Sequence, residues 1–379
     1  MKITWIVPHF PPHIGGGERL YMDVCLFLKE KGIDIRVVTS SSGGVRGHHN
    51  VDGLDVYYCD WPLVFGHPMV RMKDILPHVQ WCDIVHTAIY STAVKSNLAA
   101  FLKRKRCVTT VHEVMGKKWF WFEQNPLKAT AFFMYERLIM MCSPVVHAVS
   151  KATASDYRTY GGRGKLFQIY NFPELPPYTE IEKEDISFRQ YFSLKEGERG
   201  FLFFGRPAKN KGIFVLLKAM ELISPEEAEH AGVRFCFILS PHPDKEYADA
   251  MKLIRESRLS EYVTVKPPLP RGELLKVLSG ADCCVIPSIT EGFGYAAAEA
   301  CALKRNVISS DAGSLKEVVG GSCLFFRNRD ERDLSDKIRT FMINGEDAFE
   351  RLSEKHFDKG RIIEDYMKMY EKLIGNESG

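Results

Sequence analysis

The chain has 379 residues, 45% of them hydrophobic and 26% charged, with a formal net charge of +3; that suits two soluble globular domains and gives no basis for nucleic-acid binding. No stretch reaches the roughly 18 uninterrupted apolar residues of a transmembrane helix, and Met1–Phe10 reads as a strand and a Pro-rich turn rather than a signal peptide. The ten cysteines are scattered, with no C-x-x-C motif and no Cys/His ligand spacing, so a reduced cytoplasmic protein without a zinc site is expected.

Lys2–Pro8 is an apolar strand, followed by Pro11-Pro12-His13-Ile14-Gly15-Gly16-Gly17. A helix then runs from Glu18 to about Lys31, with Leu20, Val24, Phe27 and Leu28 at helical spacing. Gly32 stops it, and Ile33–Thr39 is the next strand. The glycine triplet fits a plain connecting turn, or a loop whose backbone approaches a phosphate or sugar. Strands are expected at Leu54–Tyr58, Asp83–Val85, Cys107–His112, Val145–Val149 and Lys165–Tyr170. Helices are expected at Ser91–Lys103, Pro126–Met141 and Lys151–Tyr160. This alternation argues for a parallel sheet covered on both faces. His112 and His86 both lie at strand ends, as structural or functional histidines, and His86 is a candidate for lining an acceptor site. The basic run Lys103–Arg106 and the sequence KKWFWF at Lys117–Phe122 fit either a solvated helix end with a packed aromatic loop, or a membrane-surface contact.

Pro173–Arg199 is rich in Pro and charge, and reads as an interdomain linker with a lead-in helix. Gly200–Phe204 opens a second set of strands, continued by Val233–Leu239, Val263–Lys266, Cys283–Ile286, Asn306–Ser309 and Cys323–Phe326. Helices are expected up to Met220, at Tyr247–Arg258, Arg271–Ala281, Tyr295–Leu303 and Glu331–Ile343, with a terminal helix at Arg361–Leu373. Gly205-Arg206 and Lys211-Gly212 flank a strand-to-helix turn, where two cations serve either a capping role or as a clamp on a diphosphate. After Cys283–Ile286 come Pro287, Ser288, Glu291 and the turn Gly292-Phe293-Gly294, then Glu299 on the following helix. Glycines there let a backbone approach a ligand, and the uncapped N–H groups opening the helix favour an anion. The two carboxylates are either ordinary surface and capping groups or bidentate acceptors for paired hydroxyls, as sugars and riboses carry.

Pro287, Ser288, Glu291, Gly292, Phe293, Gly294, Glu299, Gly313 and Glu317 resemble the donor-binding signature of retaining glycosyltransferases of family four, which have the GT-B fold. Gly205-Arg206 with Lys211-Gly212 resembles a second element of that family. The N-terminal glycine loop resembles a third, and weaker likenesses are the T-x-H element ending at His112 and the V-S-K element at Val149-Ser150-Lys151; Ile169–Phe172 resembles the family's I-x-N-G element. The chain departs from the family at Phe172 (usually Gly), at Ser240-Pro241-His242 (usually G-x-G), and at Lys304 and Asn306 after the second Glu helix.

The resemblance implies two Rossmann-like domains with parallel sheets facing a cleft: 1–172 for the acceptor and 200–355 for the nucleotide sugar, joined by 173–199, with 356–379 crossing back to the first domain. It implies Arg206 and Lys211 on the diphosphate, Glu291 on sugar hydroxyls and Glu299 on the ribose diol. Gly292, Phe293 and Gly294 would lie near sugar and phosphate, and the segment at Pro268 near the base. Gly205 is expected in the donor loop, Gly16 and Gly17 near the donor phosphates, and His112 beside the transferred sugar. The expected reaction is metal-independent transfer from a UDP- or GDP-sugar, with retention, to a glycan, lipid-linked or small-molecule acceptor. No cofactor is expected; peripheral membrane contact through the N-terminal domain, at the inner face of the membrane, is compatible with it. A nucleotide-sugar epimerase and a catalytically silent nucleotide-binding subunit are the alternatives.

Overall fold

The computed structural model describes residues 1–13, 16–41, 44–64, 66–173 and 187–375. Most of the segment expected as a linker, residues 174–186, lies outside the described residues, as does Gly15 of the glycine loop. The chain forms two compact units: Met1–Phe172 with Phe357–Gly379, and Pro173–His356.

Unit 1 is built on an eight-stranded sheet. Its strands are β1 (Lys2–Ile6), β2 (Asp34–Ser40), β3 (Gly47–Val51), β4 (Leu54–Cys59), β7 (Ile84–Ala88), β8 (Arg106–Val111), β9 (Val145–Ala148) and β10 (Lys165–Gln168), with a two-strand hairpin, β5 (Leu63–Val64) and β6 (His67–Pro68), outside it. The order is β10-β9-β8-β7-β1-β2-β4-β3. All pairings are parallel except β3 with β4, an antiparallel edge. The helices are α1 (Gly16–Glu30), α2 (Met72–Trp81), α3 (Ala93–Leu102), α4 (Trp119–Phe122), α5 (Pro126–Cys142) and α6 (Lys151–Thr159). The chain moves one way from β1 to β2 and the other way from β7 through β8 to β9. Right-handed crossovers therefore put α3 and α5 on one sheet face and α1 on the other. The C-terminal helix Lys359–Ile374 also belongs to this unit and packs on α1.

That helix is tied to the sheet by a directed hydrogen-bond chain. His147 Nε2 donates to the carbonyl of Ile169 at 2.9 Å, so its Nδ1 accepts from Thr110 Oγ1 at 3.0 Å. Thr110 then accepts from His86 Nε2 at 2.6 Å, and His86 Nδ1 accepts from Tyr370 Oη at 2.5 Å. His86 is fully buried and stacks on Trp5 with ring centroids 3.9 Å apart. It is therefore a core residue and lines no acceptor site. Phe172, where the family has Gly, is also core, edge-on to Phe27.

Burial lowers the pKa of His86 well below the ordinary histidine value, aided by His147 and His112. It brings His147 down to about 4 against the lift from its bond to Ile169, and His112 down to about 4 with help from His147. In the unfolded chain these imidazoles take up protons near pH 6.5. The unfolded state thus binds more protons below that point, and stability falls with pH. We expect stability to hold above pH 6.5 and to drop between about pH 6.5 and 4, by up to a few kcal/mol per histidine. Denaturant titrations across that range measure it, and His147→Gln should flatten the slope; an unchanged slope refutes the assignment.

Unit 2 has a seven-stranded sheet: β11 (Arg199–Gly205), β12 (Val233–Leu239), β13 (Val263–Lys266), β14 (Cys283–Ile286), β15 (Asn306–Ser310), β16 (Gly321–Phe326) and β17 (Glu350–Leu352). The order is β13-β12-β11-β14-β15-β16-β17, parallel except for the antiparallel edge β17. Its core contains Phe201, Phe235, Phe237, Leu216, Ile308 and Phe341. A short helix, Phe188–Phe192, leads in; Ser187 and Gln190 close a capping box on it. Lys304 adopts φ 57, a left-handed conformation that a lysine takes less readily than a glycine.

Candidate active site

Each sheet has one place where the strand order reverses, and there the loops leave a gap for a ligand. In unit 2 it lies between β11 and β14. Gly205 ends β11 and the loop after it carries Arg206 and Lys211; the loop after β14 carries Pro287 to Gly294. These loops are joined by backbone: Ile289 N donates to Asn210 O at 2.8 Å. Gly212 has φ 72, and a Cβ there would lie 1.7 Å from the carbonyl oxygen of Pro287. Only glycine allows this approach. On the far side of the Glu291 loop, Gly313 has φ 52 and its Cβ would lie 2.3 Å from Glu291 O. Ser314 N donates to that same carbonyl, Ser314 Oγ donates to Phe293 O at 2.8 Å, and Asn328 Nδ2 donates to Ile289 O.

This clamp positions the chemistry. Lys211 Nζ lies 2.6 Å from Glu291 Oε1, and Ser288 Oγ donates to the same oxygen at 2.9 Å. Both bonds fall on Oε1; Oε2 accepts none among the described residues. The helices Ile213–Met220 and Tyr295–Ala302 begin at Gly212 and Gly294, and neither has a side-chain cap. Their opening N–H groups therefore suit an anion. Gly294 has φ 90; Gly205 has φ 131 and open space where a Cβ would stand. Arg206 is exposed and makes no ion pair among the described residues. Phe293 is buried, and Pro268 is exposed in the segment between β13 and the helix Arg271–Ser279. Glu299 is 5% exposed, with Arg271 Nη1 at 2.8 Å from its Oε1. Burial raises the Glu299 pKa and Arg271 opposes the rise.

Arg271 and Asn210 were not among the sequence candidates. The signal for Arg271 is a cation opening a helix after Pro267–Pro270, with a carboxylate elsewhere on an Ala-rich helix needing a partner in low dielectric. Asn210 acts through its carbonyl, which leaves no signature in residue type.

In unit 1 the reversal lies between β1 and β7. A cavity of about 350 Å³ opens there, lined by Pro8, Tyr21, Tyr90, His112, Glu113 and Trp119 among others. His112 shares a 2.5 Å hydrogen bond with Tyr21, and its carbonyl accepts from Thr153 on α6. Ser150 caps α6 through Thr153 N. Gly16 and Gly17 open α1. Sequence reading missed Glu136, fully buried on α5, whose carboxylate accepts from Met115 N, Gly116 N and Tyr90 Oη at 2.6–2.8 Å and so shapes this cavity. Its signal is a lone carboxylate on an apolar helix face. Another cavity, by Glu198 and Arg234, sits at the N-terminal strand ends of unit 2, away from these groups.

His112, Gly16 and Gly17 thus belong to unit 1, and the remaining candidates to unit 2. Among the described residues, no group of three or more His, Cys, Asp or Glu side chains is placed to hold a metal ion.

Two α/β units, one with glycine-opened helix ends, a lysine and two carboxylates at its switch point, define an enzyme for phosphate-linked, hydroxyl-rich substrates. Residues 14–174 match the model of Glycosyltransferase Family 4, and residues 185–357 that of Glycosyl transferases group 1. A D-inositol 3-phosphate glycosyltransferase of Pseudarthrobacter chlorophenolicus is 30% identical over 80% of this chain and 76% of its own. An uncharacterized glycosyltransferase of Methanocaldococcus jannaschii is 25% identical over 96% and 97%. The sucrose-phosphate synthase of Thermosynechococcus elongatus shares the fold, with a TM-score of 0.74 at 19% identity over 99% of both chains. The chain belongs to this glycosyltransferase family, with the GT-B architecture, and transfers a sugar from a nucleotide-sugar donor to an acceptor.

Proposed function

We propose that unit 2 binds the donor, unit 1 receives the acceptor, and the transfer retains the anomeric configuration without a required metal. The observation that carries this reading is the Lys211–Glu291 pair, held between two uncapped helix N-termini. Those N–H groups, with Lys211 and Arg206, meet the diphosphate and offset the charge that builds on it as the sugar leaves. Glu291 Oε2 accepts from sugar hydroxyls, while Gly292-Phe293-Gly294 and Gly205 let backbone approach the donor closely. Glu299, oriented by Arg271, accepts from the ribose diol, and the segment at Pro268 faces the base. Gly16, Gly17 and His112 act from unit 1; with its pKa near 4, His112 is a neutral hydrogen-bonding group at pH 7. The acceptor hydroxyl attacks the anomeric carbon on the face the diphosphate leaves. The bond to the phosphate oxygen breaks with its electron pair, and that oxygen takes the acceptor proton. The name of the Pseudarthrobacter relative makes a phosphorylated polyol an acceptor to try beside glycans and lipid-linked sugars.

Calorimetry with UDP, GDP and ADP, followed by turnover of the matching sugar conjugate in EDTA, tests this. One nucleotide should bind about tenfold or more tighter than the others, Glu299→Gln should weaken it, and turnover should survive chelation. Loss of turnover in EDTA would overturn metal independence. Epimerisation of donor alone, or turnover with no change on Glu299→Gln, would overturn the assigned roles.

A further inference from the structure

The outer surface of α3 and α5 is apolar where a water-facing helix surface is normally polar. On α3 the exposed residues are Leu98, Phe101 and Leu102, with Phe101 78% exposed. On α5, Leu127, Met134, Leu138 and Met141 are exposed, Leu127 at 81% and Met141 at 70%. They fall at i, i+7, i+11 and i+14, so they form one stripe along the helix. Between them in the chain, Phe120 and Trp121 on α4 are about half exposed. α3 touches α5 on the same face of the sheet, and α4 packs on α5 through Trp119–Phe132 and Phe120–Phe133. The inner side of α5 is fully used, by Ala129, Ile139, Met140 and the Glu136 carboxylate. So the stripe is a second apolar face, not a displaced core.

The fully exposed charges along these helices have one sign. Within residues 93–142, all of them described, the exposed ionic side chains are Lys103, Arg104, Arg106, Lys117 and Lys128. The acidic residues of that span, Glu113, Glu123 and Glu136, are buried or half-buried. An apolar surface whose fully exposed charges along α3–α5 are all cations, with the carboxylates of that span at most half-exposed, is complementary to an apolar layer beneath anionic headgroups. No helix among the described residues is long and apolar enough to cross a membrane, so the contact would lie in the interface plane.

We propose that α3, α4 and α5 dock this protein on an anionic lipid bilayer, with Leu98, Phe101, Leu102 and the α5 stripe inserted at the headgroup boundary and the Lys103–Arg106 turn against the headgroups. The opposite side of α5 holds Glu136, and through it Tyr90 and the Met115–Gly116 turn, so docking brings the unit 1 cavity near the bilayer.

Flotation of the full chain with vesicles tests this, using phosphatidylcholine alone and phosphatidylcholine with about one-third phosphatidylglycerol. The chain should partition at least about tenfold better onto the anionic vesicles and release as salt rises. The triple variant Leu127→Ser, Met134→Ser, Met141→Ser should lose about tenfold or more of that partition with nucleotide binding and near-UV dichroism intact. Lys103→Gln, Arg104→Gln, Arg106→Gln should remove the preference for anionic lipid. Three results overturn the proposal: a chain that stays soluble with anionic vesicles, a triple Ser variant that floats like the parent, or a concentration-dependent dimer that this variant abolishes in place of vesicle binding.

Discussion

Lys211→Ala is expected to lower kcat by about 10²–10³, the scale seen when one positioned donor to developing charge is removed, while nucleotide affinity changes far less. The reason is timing. The diphosphate gains charge only as the bond to the sugar breaks, so a cation placed beside it acts more on the transition state than on the bound donor. Stability must be followed in parallel, because the lysine also neutralises Glu291. That carboxylate is 9% exposed, and without Lys211 its remaining side-chain donor is Ser288. Leaving it so costs about 1–3 kcal/mol, or roughly 2–12 °C in Tm for a unit of this size. Glu291→Gln reports the stability part alone: it keeps the shape of the loop and the lysine and removes the buried charge, while its turnover also reflects the lost carboxylate on the sugar hydroxyls. Lys211→Arg should not restore activity, since a planar fork does not replace a point charge held at 2.6 Å from one carboxylate oxygen. Near-normal turnover of a folded Lys211→Ala protein would remove the lysine from the mechanism.

Much of this fold can be read in the sequence, because buried parallel strands are near-continuous apolar runs. Val233–Leu239 and Cys283–Ile286 are strands at the bounds their composition implies. The edges are different. β3 is Gly-His-His-Asn-Val and β17 is Glu-Arg-Leu, each with no buried residue, so neither shows an alternation. α2 carries Pro77 in its interior, which reads as a breaker, yet Ile75 and Val79 bury its inner side. At the site, residue types revealed the lysine, the carboxylates and the glycines. They did not reveal that Glu291 is clamped by Gly212 on one side and Gly313 on the other, because that depends on which loops the strand order brings together. The same holds for His86 and His112. Both sit at strand ends in sequence, but one is sealed between Trp5 and Tyr370 and the other lines a cavity.

Gly212→Ala tests that clamp directly. Two costs coincide at this position. The backbone is left-handed at φ 72, and the added methyl would stand 1.7 Å from Pro287 O and 2.5 Å from its carbonyl carbon. Both atoms are backbone at the end of a central strand, so no side-chain rotation relieves the overlap. Strain and overpacking together are expected to cost about 3 kcal/mol or more. The chain can relieve part of this by parting the two loops, which breaks the Ile289–Asn210 bond and draws Lys211 from Glu291. Nucleotide affinity should therefore fall about tenfold or more even in the folded fraction. Gly205→Ala is the control. It too forces an L-residue into positive φ, at 131, but its Cβ meets nothing within 4 Å, so only the backbone term of about 1–3 kcal/mol remains. A Gly212→Ala protein no less stable than Gly205→Ala would show that the loops move apart at little cost. The Lys211–Glu291 pair would then be held by its own attraction rather than by the fold around it.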